Sequence, residues 1–177
     1  MKRIRYAVAA SLDGFIAGPD GEYDWIIMDP DIDFQEIYDQ FDTIIMGRGS
    51  YQPAASAESP PPEGMFPDMQ TFVFSRTLKQ ADHPKVTIVG DDFAETLTSL
   101  REQPGKDIWL WGGGLLFRSL CAEGFVDTVE VAVIPVLLGE GIPLLPPPSH
   151  QVPLTLTNHR VYEKSGTVAL EYTVNRL

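Results

Sequence analysis

Cysteine is almost missing from this chain. Cys121 stands alone among 177 residues, which excludes an internal disulfide and any zinc site built on paired thiolates. Histidine is nearly as scarce. His83, His150 and His159 lie far apart, no two at metal-ligand spacing on one element, so no metal is expected. Positive charge is the next shortage. Thirteen Lys and Arg stand against 25 Asp and Glu, a formal net charge of −12, and so acidic a surface repels a nucleic-acid backbone. No run approaches the roughly 18 apolar residues of a membrane span. The opening MKRIRYAVAASLDG has a basic tip followed by only about six apolar residues, too few for a secretory segment. A soluble, reducing, cytoplasmic setting is expected.

Familiar nucleotide motifs are also missing. GxxxxGK[ST] is absent, and a GxGxxG begun at Gly112 and Gly114 would need its third glycine at Phe117. No GxSxG turn offers a serine nucleophile. What remains is ordinary globular composition, 44% hydrophobic and 21% charged, with a length suited to one domain over residues 1–177.

Along the chain, IRYAVAA (4–10) reads as an opening strand. Phe34, Ile37, Tyr38 and Phe41 form the stripe of an amphipathic helix, its start marked by Asp29 as cap and Pro30 at the first helical position. TIIMG (43–47), TFVFS (71–75) and KVTIV (85–89) read as buried strands, and residues 51–68 as a proline-rich surface loop. A helix carries Phe93, Leu97 and Leu100. DIWLW (107–111) is a strand that runs through three glycines into a helix with Leu116, Phe117, Leu120 and Cys121 on one face. Cys121 is therefore expected in the core, and Trp109 and Trp111 in the core or a pocket wall. A β-like run (127–139) and a C-terminal hairpin about KSG complete an α/β layered sheet, mostly parallel, with antiparallel strands at one edge.

Three strand ends carry residues suited to phosphate. Gly47 in MGRGSY frees backbone N–H groups beside Arg48 and Ser50. FSRT presents Ser75, Arg76 and Thr77 together. Gly112, Gly113 and Gly114 place bare backbone at a helix N-terminus, the positive end of its dipole. Two guanidinium forks and one helix start at the same end of parallel strands fit a ligand with a pyrophosphate and a separate phosphomonoester. NADPH has that shape. No acid at the usual distance meets a ribose 2′-hydroxyl: Glu130 is close in count but lies within a strand. With Arg48 and Arg76 present, that favours NADPH over NADH.

Five stretches, AASLDGFIAGPDGEYDWI (9–26), DTIIMGRGSY (42–51), FSRT (74–77), WGGGLLFRSL (111–120) and VDTVEVAVIPVLLGEGIPLL (126–145), together resemble the dihydrofolate reductase superfamily. The likeness is greatest to the branch containing the C-terminal reductase domain of the bifunctional riboflavin-biosynthesis deaminase/reductase. It implies the three-layer fold of that superfamily and an NADPH-dependent reductase. By that resemblance Gly47, Arg48 and Ser50 hold cofactor phosphates, Ser75, Arg76 and Thr77 the adenosine 2′-phosphate, and the glycine triplet with Leu115 and Leu116 the pyrophosphate. Ala10 and Ile16 flank the nicotinamide. Asp13 lines the substrate–nicotinamide pocket and Asp31 falls at the substrate-binding carboxylate. Helix-start stabilisation is the alternative task for Asp31 and Asp33, and turn formation with Gly14 for Asp13. The chain departs from folate reductases in lacking a Trp–Asn–Leu–Pro-like segment after the first strand. It departs from riboflavin-pathway reductases in having Phe15 where a basic or polar residue is common.

The expected activity is hydride transfer to a pteridine or ribosylamino-pyrimidine type of small heterocycle, with Asp31, Asp13 or water supplying the proton. A non-catalytic nucleotide-binding or regulatory module is the alternative, and a flavin enzyme the third option. Relatives of this branch suggest a homodimer.

Overall fold

The computed structural model describes residues 1–55 and 69–175. In chain order the elements are β1 (Ile4–Ser11), β2 (Phe15–Ala17), α1 (Phe34–Tyr38), β3 (Phe41–Gly47), α2 (Arg48–Ala55), β4 (Gln70–Phe74) and β5 (Thr87–Val89). They continue with α3 (Phe93–Glu102), β6 (Asp107–Gly112), α4 (Gly114–Ala122), β7 (Thr128–Ile134), β8 (Ile142–Pro143), β9 (Leu154–Tyr162) and β10 (Thr167–Val174).

Eight strands form one sheet in the order β5-β4-β3-β6-β1-β7-β10-β9, and β2 pairs with β8 in a small second sheet. Neighbours are parallel from β5 through β7, and β10 runs antiparallel to both β7 and β9. This is the α/β, mostly parallel sheet with a terminal hairpin that the sequence predicts.

Alternation along the strands builds two cores, because successive side chains leave opposite faces. On β1, Ile4, Tyr6 and Val8 point to one face, where Leu97 and Leu100 of α3 and Phe117 and Leu120 of α4 meet them. Tyr6 stacks on Phe117 with centroids 3.9 Å apart. Cys121 packs against this core, and burial pushes its thiol up to about 12. On the other face Trp109 stacks between Phe41 and Tyr38 and donates from its indole to Ala7 O at 3.0 Å. Ile44, Met46 and Val73 complete that core, and Trp111 packs against it.

The amino edge of the sheet is held by charge. The buried Arg5 donates from Nε and Nη2 to the two oxygens of Glu130 at 2.7 and 2.8 Å. It also donates to Gln40 at 2.8 Å and lies over the Phe41 ring. Glu130 thus serves the end of the sheet opposite the phosphate-type turns.

Three expectations are corrected. Asp29 does not cap α1; Asp33 does, accepting from Glu36 N at 2.9 Å, so Pro30 precedes the helix rather than opening it. Asp29 is buried and accepts instead from the backbone N–H of Asp31 and of Ser165, at 2.9 and 2.8 Å. Phe41 leaves the helical stripe to open β3. Of the stretch read as loop, Tyr51–Ala55 belongs to α2, where Tyr51 packs on the second core with its hydroxyl 3.1 Å from His83 Nδ1. Residues 56–68 of that loop lie outside the described residues.

Candidate active site

The three phosphate-type turns come together. Register pairs Gly47 with Phe74 and Met46 with Gly112, so β3, β4 and β6 end side by side. Arg48, Ser75–Thr77 and the glycine triplet therefore leave one edge. Arg48 Nη1 donates to Thr77 Oγ1 at 2.8 Å. Ser75 Oγ accepts from the N–H of Thr77 and Leu78 at 3.2 and 3.1 Å, a local turn that fixes FSRT as a compact ring of donors. Arg76 is exposed. Asp91 and Asp92 follow β5, beyond β4.

Two helix starts face the same edge, since α2 begins at Arg48 and α4 at Gly114. Between them Ser50 sits against the triplet: a Cβ on Gly112 or Gly113 would lie 3.5 or 3.3 Å from its Oγ. Gly112 has φ +138°, a backbone state that L side chains rarely adopt. The peptide between Gly112 and Gly113 is cis. Gly114 serves packing, because a Cβ there would meet Pro143 O at 2.6 Å and Pro146 Cδ at 2.9 Å. Leu115 is exposed beside it and Leu116 turns into the core. Glycine thus seats a helix start closely against its surroundings while leaving bare backbone at the edge, as a diphosphate requires.

The neighbouring half of the edge lies over β1 and β7. Ala10 is buried opposite Val133, and Ile16 is half-buried in β2. Loops bind one another here: Leu12 N donates to Val136 O and Leu144 N to Gly14 O, both at 2.9 Å. Asp13 is the clasp. Its carboxylate accepts from Ser11 Oγ at 2.6 Å and from the N–H groups of Leu138 and Gly139 at 3.1 and 2.7 Å. Those bonds, the serine's first, lower its pKa to about 2. A carboxylate so held is ionised near neutrality, which argues against Asp13 as a proton donor.

Asp31 is half-exposed and accepts from Lys164 Nζ at 2.6 Å. Lys164 and Ser165 belong to the β9–β10 turn, so Asp31 and the neighbouring Asp29 anchor the hairpin tip to the loop before α1. The sequence analysis passed over Asp29 and Lys164 as site residues. The one available signal was the density of acids at 29–33, with no indication of their partner.

The fold that carries this edge has known counterparts. Residues 2–168 match the model of the RibD C-terminal domain. The chain belongs to the RibD C-terminal domain family. The uncharacterized protein YyaP of Bacillus subtilis (strain 168) is 37% identical over 182 residues, covering 98% of this chain and 96% of YyaP. A diaminohydroxyphosphoribosylaminopyrimidine deaminase/5-amino-6-(5-phosphoribosylamino)uracil reductase of Thermotoga maritima superposes with a TM-score of 0.70 at 17% identity. That match takes in 98% of this RibD-family chain and 57% of the bifunctional one. Dihydrofolate reductase of Enterococcus faecalis, complexed with NADP(H), superposes with a TM-score of 0.70 at 15% identity, over 98% and 97% of the two chains. The chain thus shares its fold with both of these reductases.

Proposed function

We propose that this RibD-family protein is an NADPH-dependent reductase of a small, flat heterocycle of pteridine or ribosylamino-pyrimidine type. The observation that carries this reading is the convergence at one edge of Arg48, the Ser75–Thr77 turn and the Gly112–Gly114 corner, joined by the Arg48–Thr77 hydrogen bond.

In this reading Arg76, Ser75 and Thr77 grip the 2′-phosphate, and Arg48 and Ser50 with the N-termini of α2 and α4 hold the pyrophosphate. Ala10 and Ile16 bound the nicotinamide, the small Ala10 leaving room beside β1. When bound, the reduced nicotinamide supplies a hydride to an electrophilic C=N or C=O carbon of the substrate. The chain contributes position and partial exclusion of water. The two carboxylates have unequal parts. Asp13 is a positioning residue that holds loop 138–139 across the end of β1. Asp31, still paired with Lys164 through one oxygen, orients the substrate. The proton that accompanies the hydride then reaches the ring heteroatom from solvent.

The test is a fluorescence titration with NADPH and with NADH. NADPH binds at least about tenfold more tightly if the arginines read the 2′-phosphate; equal affinities would sink the proposal. Binding without turnover is the second reading, favoured by both pocket carboxylates already having partners. Loss of absorbance at 340 nm across a panel of pterins and aminopyrimidines separates the two.

A further inference from the structure

The edge that carries the proposed site is divided by charge. Its cofactor half presents Arg48, Arg76 and two helix N-termini. In the segments over β1 and β7 the balance is reversed. From Leu12 to Asp33 the chain has seven carboxylates and no Lys or Arg, and from Pro135 to His150 it has Glu140 and no Lys or Arg. Among the described residues the cations beside these segments are Lys164 on the β9–β10 turn, which Asp31 holds, Arg118 of α4, which donates to Pro147 O at 3.0 Å, and Arg160 of β9, which lies over the Tyr162 ring.

The same loops expose apolar side chains. Leu12 is 65% exposed, Leu137 69% and Ile142 41%. They sit on segments bonded together by Leu12 N to Val136 O, by Asp13 to the N–H groups of Leu138 and Gly139, and by the pairing of Ala17 with Ile142. Exposed apolar residues gathered on rigid loops at the carboxyl ends of strands mark a surface that a flat ring covers. A phosphate brings nearly two negative charges at neutral pH. Here it would meet carboxylates, and the cations nearest to them are already engaged, Lys164 by Asp31, Arg118 by Pro147 O and Arg160 by the Tyr162 ring.

Resting on the reductase reading above, we propose that the substrate end takes a flat ring without a phosphate, neutral or protonated, and rejects phosphoribosyl-bearing pyrimidines. Selection follows from repulsion by the acidic rim as much as from apolar contact, the two ways a site discriminates. The chain thereby shares the family's fold and differs from the Thermotoga maritima relative in what its substrate end accommodates.

The experiment starts with NADPH affinity, measured alone, whose failure speaks against the reductase reading and not against the charge argument. The NADPH-saturated protein is then titrated anaerobically with 5-amino-6-ribosylaminouracil, with its 5′-phosphate and with 2,4-diaminopyrimidine, following the quench of nicotinamide fluorescence. The two unphosphorylated rings bind, and the phosphate weakens binding at least about tenfold, with the gap narrowing as salt rises. Asp31→Asn releases Lys164 and narrows the gap several-fold, and Lys164→Ala in that background restores it. Equal or tighter binding of the phosphate overturns the proposal. So does a gap unmoved by salt and by Asp31→Asn, or failure of every ring to bind while NADPH does.

Discussion

Single side chains here divide into those that hold and those that offer. Arg5 holds: it is buried and bidentate to Glu130, and without Glu130 its guanidinium keeps only the longer pair with Asp107 at 3.5 Å and the bond to Gln40. Glu130→Ala should cost about 1–3 kcal/mol, read as a lower urea midpoint with an unchanged slope. Asp13 also holds, and its contribution depends on pH. The folded-state pKa is depressed to about 2, so the stability it adds is present above its ordinary value near 4 and is lost as pH falls toward 2. Asp13→Asn should therefore lie below the parent in stability at pH 7 and approach it as the solution is acidified from pH 4 to 2, measured by denaturant unfolding at each pH. Arg48 and Arg76 offer. Either exchanged for Ala should cut the preference for NADPH over NADH about tenfold without moving the melting temperature by more than a degree or two, because both side chains are exposed.

Among the elements, α4 shows how closely the site is tied to packing. Its first residue, Gly114, lies against Pro143 and Pro146, so Gly114→Ala must push the helix start away from β8. The expected loss is about 1–3 kcal/mol of stability, with weaker NADPH binding in the same titration. The strand–glycine–helix turn was legible in the sequence, since the glycines, the preceding strand and the apolar helix face are all local signals, whereas the prolines that crowd Gly114 were not. Nor was the start of α1. Asp29 looked like a cap because DPD precedes a helical stripe, yet one of its oxygens is taken by the N–H of Asp31 and the other by that of Ser165, 136 residues further along. The small β2–β8 sheet was equally hidden, as two or three residues carry no readable period. Asp13 was visible as a pocket residue, but the amides that lock it belong to Leu138 and Gly139. Local chemistry showed in the sequence; the distant partner that decides a residue's task did not.

For the molecule as a whole, a net charge of −12 opposes a dinucleotide that is itself anionic, while the two arginines and the helix starts attract it at close range. Screening reduces the long-range repulsion first, since the Debye length shrinks to about 10 Å at 0.1 M salt. The association rate of NADPH should therefore rise between about 20 mM and about 300 mM salt, and the dissociation rate should rise as well. Stopped-flow nicotinamide fluorescence gives both constants. An association rate that falls with salt would mean that the cationic edge, and not the whole-protein field, governs encounter.

The sheet order carries a consequence for biosynthesis. β1 is flanked by β6 and β7, so it must wait for residues beyond 107 before it gains either neighbour. Until then a nascent chain can pair only β3, β4 and β5, leaving Ile4, Tyr6 and Val8 without the α4 side chains that cover them. Such dependence on far-separated contacts slows productive collapse. It makes the amino-terminal strand the stretch on which a holdase would act while the ribosome finishes its work.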